Sequence, residues 1–238
     1  MNVLEVIQRA CNAIGIPSPS SAVGSTDDSI IQLVELLNQE GRDLSSRHDW
    51  QALSGEGHIT TVAAQDQGLI SSFLTSGHEL RKIVNDTIWN RTTKQPVCGP
   101  LSKQRIQAYK ATSLTGPYSE YFIGGNHLYF YPAPAAGNNC YFEYFHRMWA
   151  TDSTGSTYKR NVTSDSDLFL LDDELVLLGL EWRYLRKKGL SYAEEFASYE
   201  GRVNQTISRD GTRRVLRMDE PNEQVRAGTF IPIGSWQL

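Results

Sequence analysis

Apolar residues recur at steps of three and four in four segments, two near each end of the chain, and the strongest such segment covers residues 171–189. There Leu171, Leu175, Leu178, Trp182 and Leu185 form one continuous face, which predicts a helix with a side to bury. Asp172, Asp173 and Glu174 lie in its first turn and Arg186, Lys187 and Lys188 in its last, as a helix macrodipole favours, and Gly189 supplies a left-handed stop. Beyond it, Ser191 with Glu194 reads as a capping box for a second helix carrying Tyr192, Phe196, Tyr199, Val203 and Ile207.

At the other end, Val3, Leu4, Ile7, Ala10, Cys11 and Ile14 make a short amphipathic helix closed by Gly15. Ser25 with Asp28 predicts the cap of a longer helix whose Ile30, Ile31, Leu33, Val34, Leu37 and Leu44 face a core, ending near 48–50. Gly41 within it costs about 1 kcal/mol relative to alanine, so another helix is expected to pack closely there.

Between these ends the period shortens. Segments 57–62, 69–74, 80–84, 86–90, 120–123, 127–131 and 140–145 are β-branched or aromatic and bounded by Gly, Asn and Pro, which predicts antiparallel strands. The strand ending at Pro132 is expected to form a hairpin with 141–145 through the turn 136–139, and Gly124-Gly125-Asn126 reads as a turn with positive φ. Residues 101–110 have the spacing of a brief helix, and 151–166 reads as a surface loop returning to the helices. The segment 210–219 fits a short helix or an extended arm, and 225–238 is apolar without helical period.

The expected fold class is α+β: a helical bundle built from both chain ends, with an inserted antiparallel β domain and an extended C-terminal tail. The expected boundaries are 1–51 with 151–220 for the helical domain, 52–150 for the β insertion and 221–238 for a docking tail.

Charge and candidate chemistry narrow the function. The 238 residues carry a net charge of -4 with both signs interspersed, so no overall basic field announces a nucleic-acid binder. Cys11, Cys98 and Cys140 lie far apart without CxxC spacing and read as small buried apolar side chains in a reducing cytoplasm. The sequence opens without a secretory pattern, and no apolar run approaches the ~18 residues of a membrane span, so no membrane partner is expected.

Catalytic patterns are weak. His48, His58, His78, His127 and His146 are dispersed and read as surface or strand-pair histidines rather than metal ligands. The sequence contains neither a GxSxG elbow nor a Walker loop. Asp172, Asp173 and Glu174 diverge around a helix axis, which favours helix N-terminal charge over the facing carboxylate pair of a glycosidase. The aromatic residues of 118–145 lack interleaved Lys and Arg and read as a β core rather than a base-stacking platform. No catalytic, metal or cofactor residue is assigned. Arg209, Arg213, Arg214 and Arg217 remain open between surface charge, an inter-subunit or partner contact and contact with DNA phosphates.

The opening MNVLEVIQRACNAIGI, the following STDDSIIQLVELLNQEGRDLSSRHDWQAL and above all LLDDELVLLGLEWRYLRKKGLSYAEEFASYE resemble the head-to-tail adaptor, or connector, proteins of tailed bacteriophages. The resemblance implies a structural virion protein without enzymatic activity. It implies a ring of about twelve copies beneath the portal, closed by heterologous contacts, that prolongs the channel for genomic DNA toward a tail tube or nozzle. It places the protein at the head-tail junction of a virion, after synthesis in the host bacterial cytoplasm. Its implied partners are the portal ring, the next tail component, other copies of itself and the passing DNA. The apolar residues Phe230, Ile231, Ile233, Trp236 and Leu238 would then dock on the portal or a neighbouring subunit. The alternatives are a virion-associated cell-wall hydrolase and another neck or tail-tube ring protein.

Overall fold

In the computed structural model, which describes residues 1–112 and 119–211, the apolar stripe at the start forms α1 (Val3–Ile14). Asn2 and Glu5 cap it reciprocally, and Gly15 ends it at φ 81°. The next helix, α2 (Asp28–Arg47), takes its cap from Asp27 rather than from the expected Ser25. The Asp27 carboxylate accepts from the Ser29 amide at 2.8 Å, one of the donors that the first helical turn leaves unpaired.

A mixed middle follows. Strands β1 (Ser54–Thr60), β2 (Asp66–Leu69), β3 (Leu80–Ile83), β4 (Trp89–Asn90) and β5 (Gln95–Pro96) precede α3 (Lys103–Thr112). Then come β6 (Glu120–Gly124), β7 (His127–Tyr131), β8 (Asn139–His146), β9 (Ala150–Thr151), β10 (Tyr158–Lys159) and β11 (Leu168–Phe169). The helices α4 (Asp173–Lys187) and α5 (Ala193–Arg209) complete the described chain.

The long strand β8 organises the larger sheet: β1 lies along one edge of it and β3 and β4 pair with it as well, all antiparallel. A second sheet runs β2-β7-β6, where β6 and β7 turn through Gly125 and Asn126 at φ 59° and 65°. The expected hairpin between 127–131 and 141–145 does not form, because β7 and β8 belong to different sheets. Thr61 explains the divergence. It accepts from Gly137 and Asn138 and donates its hydroxyl to the Ala135 carbonyl at 2.6 Å, which ties the connection to the end of β1 instead.

Two further expectations change. Residues 69–74 leave the strand after Leu69 and turn as a 3-10 helix, Ile70–Phe73, with the Ser72 hydroxyl donating to the Leu69 carbonyl at 2.6 Å. A serine that bonds its own local backbone competes with the strand ladder. Residues 151–166 are not a free loop either: they contribute to the sheet β10-β9-β11 and are latched by two aspartates. Asp165 accepts from Ser21, Ala22 and Val23, while buried Asp167 accepts from Lys159, Thr163 and Ser164. The backbone carbonyls of the same two residues take the amides of Leu4 and Val3, so this segment seats α1.

Buried apolar side chains fall into two clusters. One joins α1, α2, α4 and α5 through residues such as Val6, Ile7, Leu33, Leu37, Leu44, Leu175, Leu180 and Val203, and also takes in Trp50, Trp149 and Leu171. The other comes from the sheets and the segments beside them, with Ile59, Ile70, Tyr121, Leu128, Phe130, Phe142 and Tyr144 among its members. Each such side chain contributes about 1.5–3 kcal/mol by leaving water. Helix α4 is the hub of the first cluster, packing against α1, α2 and α5.

Two helical glycines explain how close those contacts become. The neighbour at Gly41 is the indole of Trp149 rather than another helix, and a Cβ there would lie 2.1 Å from the ring. Trp149 is fully buried, stacks on Phe169 at 5.7 Å and donates Nε1 to the Arg160 carbonyl at 2.6 Å. On α4, a Cβ at Gly179 would lie 2.3 Å from the carboxyl carbon of Glu40.

Candidate interaction surfaces

Glu40 occupies a position on the apolar face of α2, between Leu37 and Leu44, and is completely buried. An unpaired carboxylate there would be costly, and the helices around it supply its partners. Arg183 of α4 donates Nε to one carboxylate oxygen at 2.5 Å, and Tyr199 of α5 donates its hydroxyl to the other at 2.6 Å. Burial pushes the Glu40 carboxyl up from its ordinary value, against the pull of Arg183 and Tyr199. Burial opposes the charge of Arg183, but Glu40 and Asp43 hold its guanidinium above the ordinary range. Asp43 takes the second arm of Arg183 at 2.8 Å, and Arg47 pairs with Glu200 on α5. This network fixes the mutual register of α2, α4 and α5. It was missed in the sequence, where a Glu at a core-facing step of α2 was the available signal.

The acidic first turn of α4 serves its helix. Asp172 accepts from the Glu174 amide at 3.0 Å, Asp173 pairs with the Met1 ammonium, and Glu174 lies 4.0 Å from Arg9. Asp172 and Asp173 are thus committed to structural contacts, while Glu174 stays more than half exposed. The second capping expectation is corrected: Tyr192, not Ser191, stands at the start of α5 and makes no side-chain cap. Its ring instead packs toward Trp182, with centroids 6.4 Å apart, so side-chain packing outweighs capping preference at this turn.

The histidines divide. His127 contacts Asp66, His58 contacts Asn139 and His48 lies 3.3 Å from Asp210. His146, in β8 opposite Leu80 of β3, is a strand-pair histidine but not a surface one: it is only 2 % exposed and packs on His78 with ring centroids 4.0 Å apart. Burial, then the neighbouring His78, lowers its pKa to about 4. His78 in turn meets the Tyr144 hydroxyl at 2.7 Å. Cys11 and Cys140 are buried and Cys98 is half-buried, and all three are free thiols.

Three surface features stand out among the described residues. Leu190, Tyr192 and Phe196 are exposed at the α4–α5 turn in front of Trp182, giving an apolar patch. A pocket of about 300 Å³ is lined by Arg42, Arg81, Arg147 and Arg160 with Ser45 and Ser46, where the end of α2 meets β3 and β8. Arg81 donates to the carbonyls of Ser46 and His48 and so closes α2, while Glu79 lies 3.1 Å from Arg160 and 3.7 Å from Arg147. Glu181 is half-buried beside Glu174 and Glu195, and burial followed by those two charges raises its pKa. Sequence reasoning found neither charged feature: the arginines come from segments far apart in the chain, whereas Glu174 and Glu181 share α4 and Glu195 joins them through the packing of α5 on it.

Of the arginines singled out in the sequence, Arg209 is exposed in the last turn of α5. Arg213, Arg214 and Arg217 lie outside the described residues, as do Phe230, Ile231, Ile233, Trp236 and Leu238. No helix among the described residues is long and apolar enough to cross a membrane.

The family model described as SU10 adaptor protein matches residues 1–224. A search of curated proteins found no match.

Proposed function

The chain belongs to the SU10 adaptor protein family, a phage head-tail adaptor family, and from that premise we propose that its copies form a ring beneath the portal. The ring joins head to tail and extends the channel through which the genome leaves. The observation that carries this reading is the family match over residues 1–224. An adaptor family implies a structural rather than a catalytic role, and the commitment of Asp172 and Asp173 to contacts around the start of α4 supports it.

The division of labour follows the two cores. The helical part, 1–51 with 151–220, forms the collar in which subunits stand side by side, in about twelve copies if the ring matches the portal. The sheets of 52–150 project toward the next tail component, a tube or nozzle. Residues 221–238 reach the portal or a neighbouring subunit, with Phe230, Ile231, Ile233, Trp236 and Leu238 as anchors of the kind that interfaces favour. The patch of Leu190, Tyr192 and Phe196 supports a side-by-side contact, since exposed apolar patches mark association sites. The net charge of -4 per subunit suits a channel wall that repels DNA; lumen-facing residues that prove mainly basic would exclude this part of the proposal.

The test is mass by light scattering, for the protein alone and after mixing with the portal ring from the same genome, followed by imaging of the complex. A closed ring seated on the portal is the expected result. A monomer that does not bind the portal would overturn the reading.

A further inference from the structure

Four guanidiniums converge on the pocket at the end of α2, and the described residues offer them two carboxylates, Glu79 and Asp49. Asp49 is also shared with Lys82. Arg42 spends one donor on the Asn161 side-chain carbonyl at 2.6 Å, yet each guanidinium carries five N–H donors. Arg147 and Arg160 are 47 % and 46 % exposed, so much of this donor capacity faces water. Such a pocket is built to take planar oxyanions.

The opposite deficit lies on α4 and α5. Glu181 is half-buried between Glu174 and Glu195, and no ion pair or hydrogen bond reaches the carboxylates of Glu181 or Glu195 among the described residues. Among the described residues the cation paired with Glu174 is Arg9, at 4.0 Å. A cyclic assembly needs two unlike patches on each subunit that fit each other. Resting on the ring reading above, we infer that the arginine pocket of one copy receives the Glu181 and Glu195 carboxylates of the next. Passing DNA is the weaker occupant. A concave pocket that captures single anions would hold back a duplex that has to slide, and duplex binding gains most from cations spread along the phosphates.

The test is a charge swap in the full-length protein, read as self-association by sedimentation and light scattering at two salt concentrations. Arg147→Glu/Arg160→Glu and Glu181→Lys/Glu195→Lys are each expected to associate at least about tenfold more weakly than the parent, and less steeply with salt. An equimolar mixture is expected to regain parental association, because each altered patch then meets its complement. Arg147→Gln/Arg160→Gln serves as the milder variant, with circular dichroism and melting as the check on folding. Parental association of the variants, or weakened association that mixing leaves unrestored, overturns the contact. Normal assembly with lost retention of duplex DNA assigns the pocket to phosphates instead and likewise overturns it. A dimer governed by the swap keeps the contact and overturns the ring, whereas a parent that stays monomeric alone and on the portal overturns both.

Discussion

The six-membered ring of Trp149 lies against the Cα of Gly41 so closely that a Cβ there would stand 2.1 Å from the indole. Alanine normally stabilises a helix interior relative to glycine by about 0.5–1 kcal/mol. At this position overpacking should reverse the sign, since Trp149 is fully buried and held through Nε1 by Arg160. Gly41→Ala is expected to destabilise the fold by about 1–3 kcal/mol, measured by urea unfolding. A stabilised variant would show that the indole moves aside freely.

Trp182 is 6 % exposed and packs against Phe196 and Tyr199 with centroids 5.0 and 6.0 Å away. Trp182→Ala should cost about 3–5 kcal/mol. Its Nε1 has no hydrogen-bond partner among the described residues, so Trp182→Phe should be much milder. Equal losses in thermal melts of the two variants would refute the packing account.

The buried Glu40–Arg183 pair should behave asymmetrically. Arg183→Met leaves a buried carboxylate without its cation and is expected to cost about 3–5 kcal/mol. The double variant Glu40→Met/Arg183→Met should cost less than Arg183→Met alone, because neither charge is then stranded. A double-mutant cycle in denaturant decides it, with additive losses as the contrary result.

His146 should make the fold acid-sensitive. Its native pKa of about 4 lies below the ordinary 6.5, with burial as the main cause and His78 as the second. The unfolded chain therefore binds the proton first. Stability from this site is complete above pH 6.5 and declines as the pH falls toward 4, by on the order of 2–3 kcal/mol. The shift of His78 by burial acts in the same direction. His146→Phe is expected to flatten the slope of melting temperature between pH 7 and pH 4 relative to the parent; parallel slopes would remove His146 from the account.

Truncation after Glu220 should leave a monomer with the parental melting temperature and weaken its attachment to the portal ring. Pull-down on purified portal provides the measurement, and undiminished attachment would exclude residues 221–238 as the anchor.

The helices were legible because each buries a continuous face: the stripe Val3, Ile7, Ala10, Ile14 and the series Leu171, Leu175, Leu178, Trp182 carry a period that no strand shares. The strands β6 and β7 were readable for the same local reason, with Gly125 and Asn126 supplying the turn. Strand partners were not. Which sheet receives β8 depends on Thr61 holding the 135–138 connection, a contact across more than seventy residues. The latch of Asp165 depends likewise on Ser21 and Val23, more than 140 residues away, whereas Lys159 holds Asp167 locally. The surface charges escaped for a related reason, since Arg42, Arg81, Arg147 and Arg160 share no segment and meet only after folding. Family resemblance was legible in the helices alone, and it led to the same family that the match over residues 1–224 shows.

Helix α4 packs on α1 and α2 but leaves the ribosome only after every strand from β1 to β11. At translation rates of about 5–20 residues per second, the first two helices wait on the order of 10–30 s for their partner. The sheets, whose cluster draws on Ile59 through Tyr144, have all their members beforehand. Synthesis therefore matures the molecule from the middle outward, and the helical cluster around α4 is completed last.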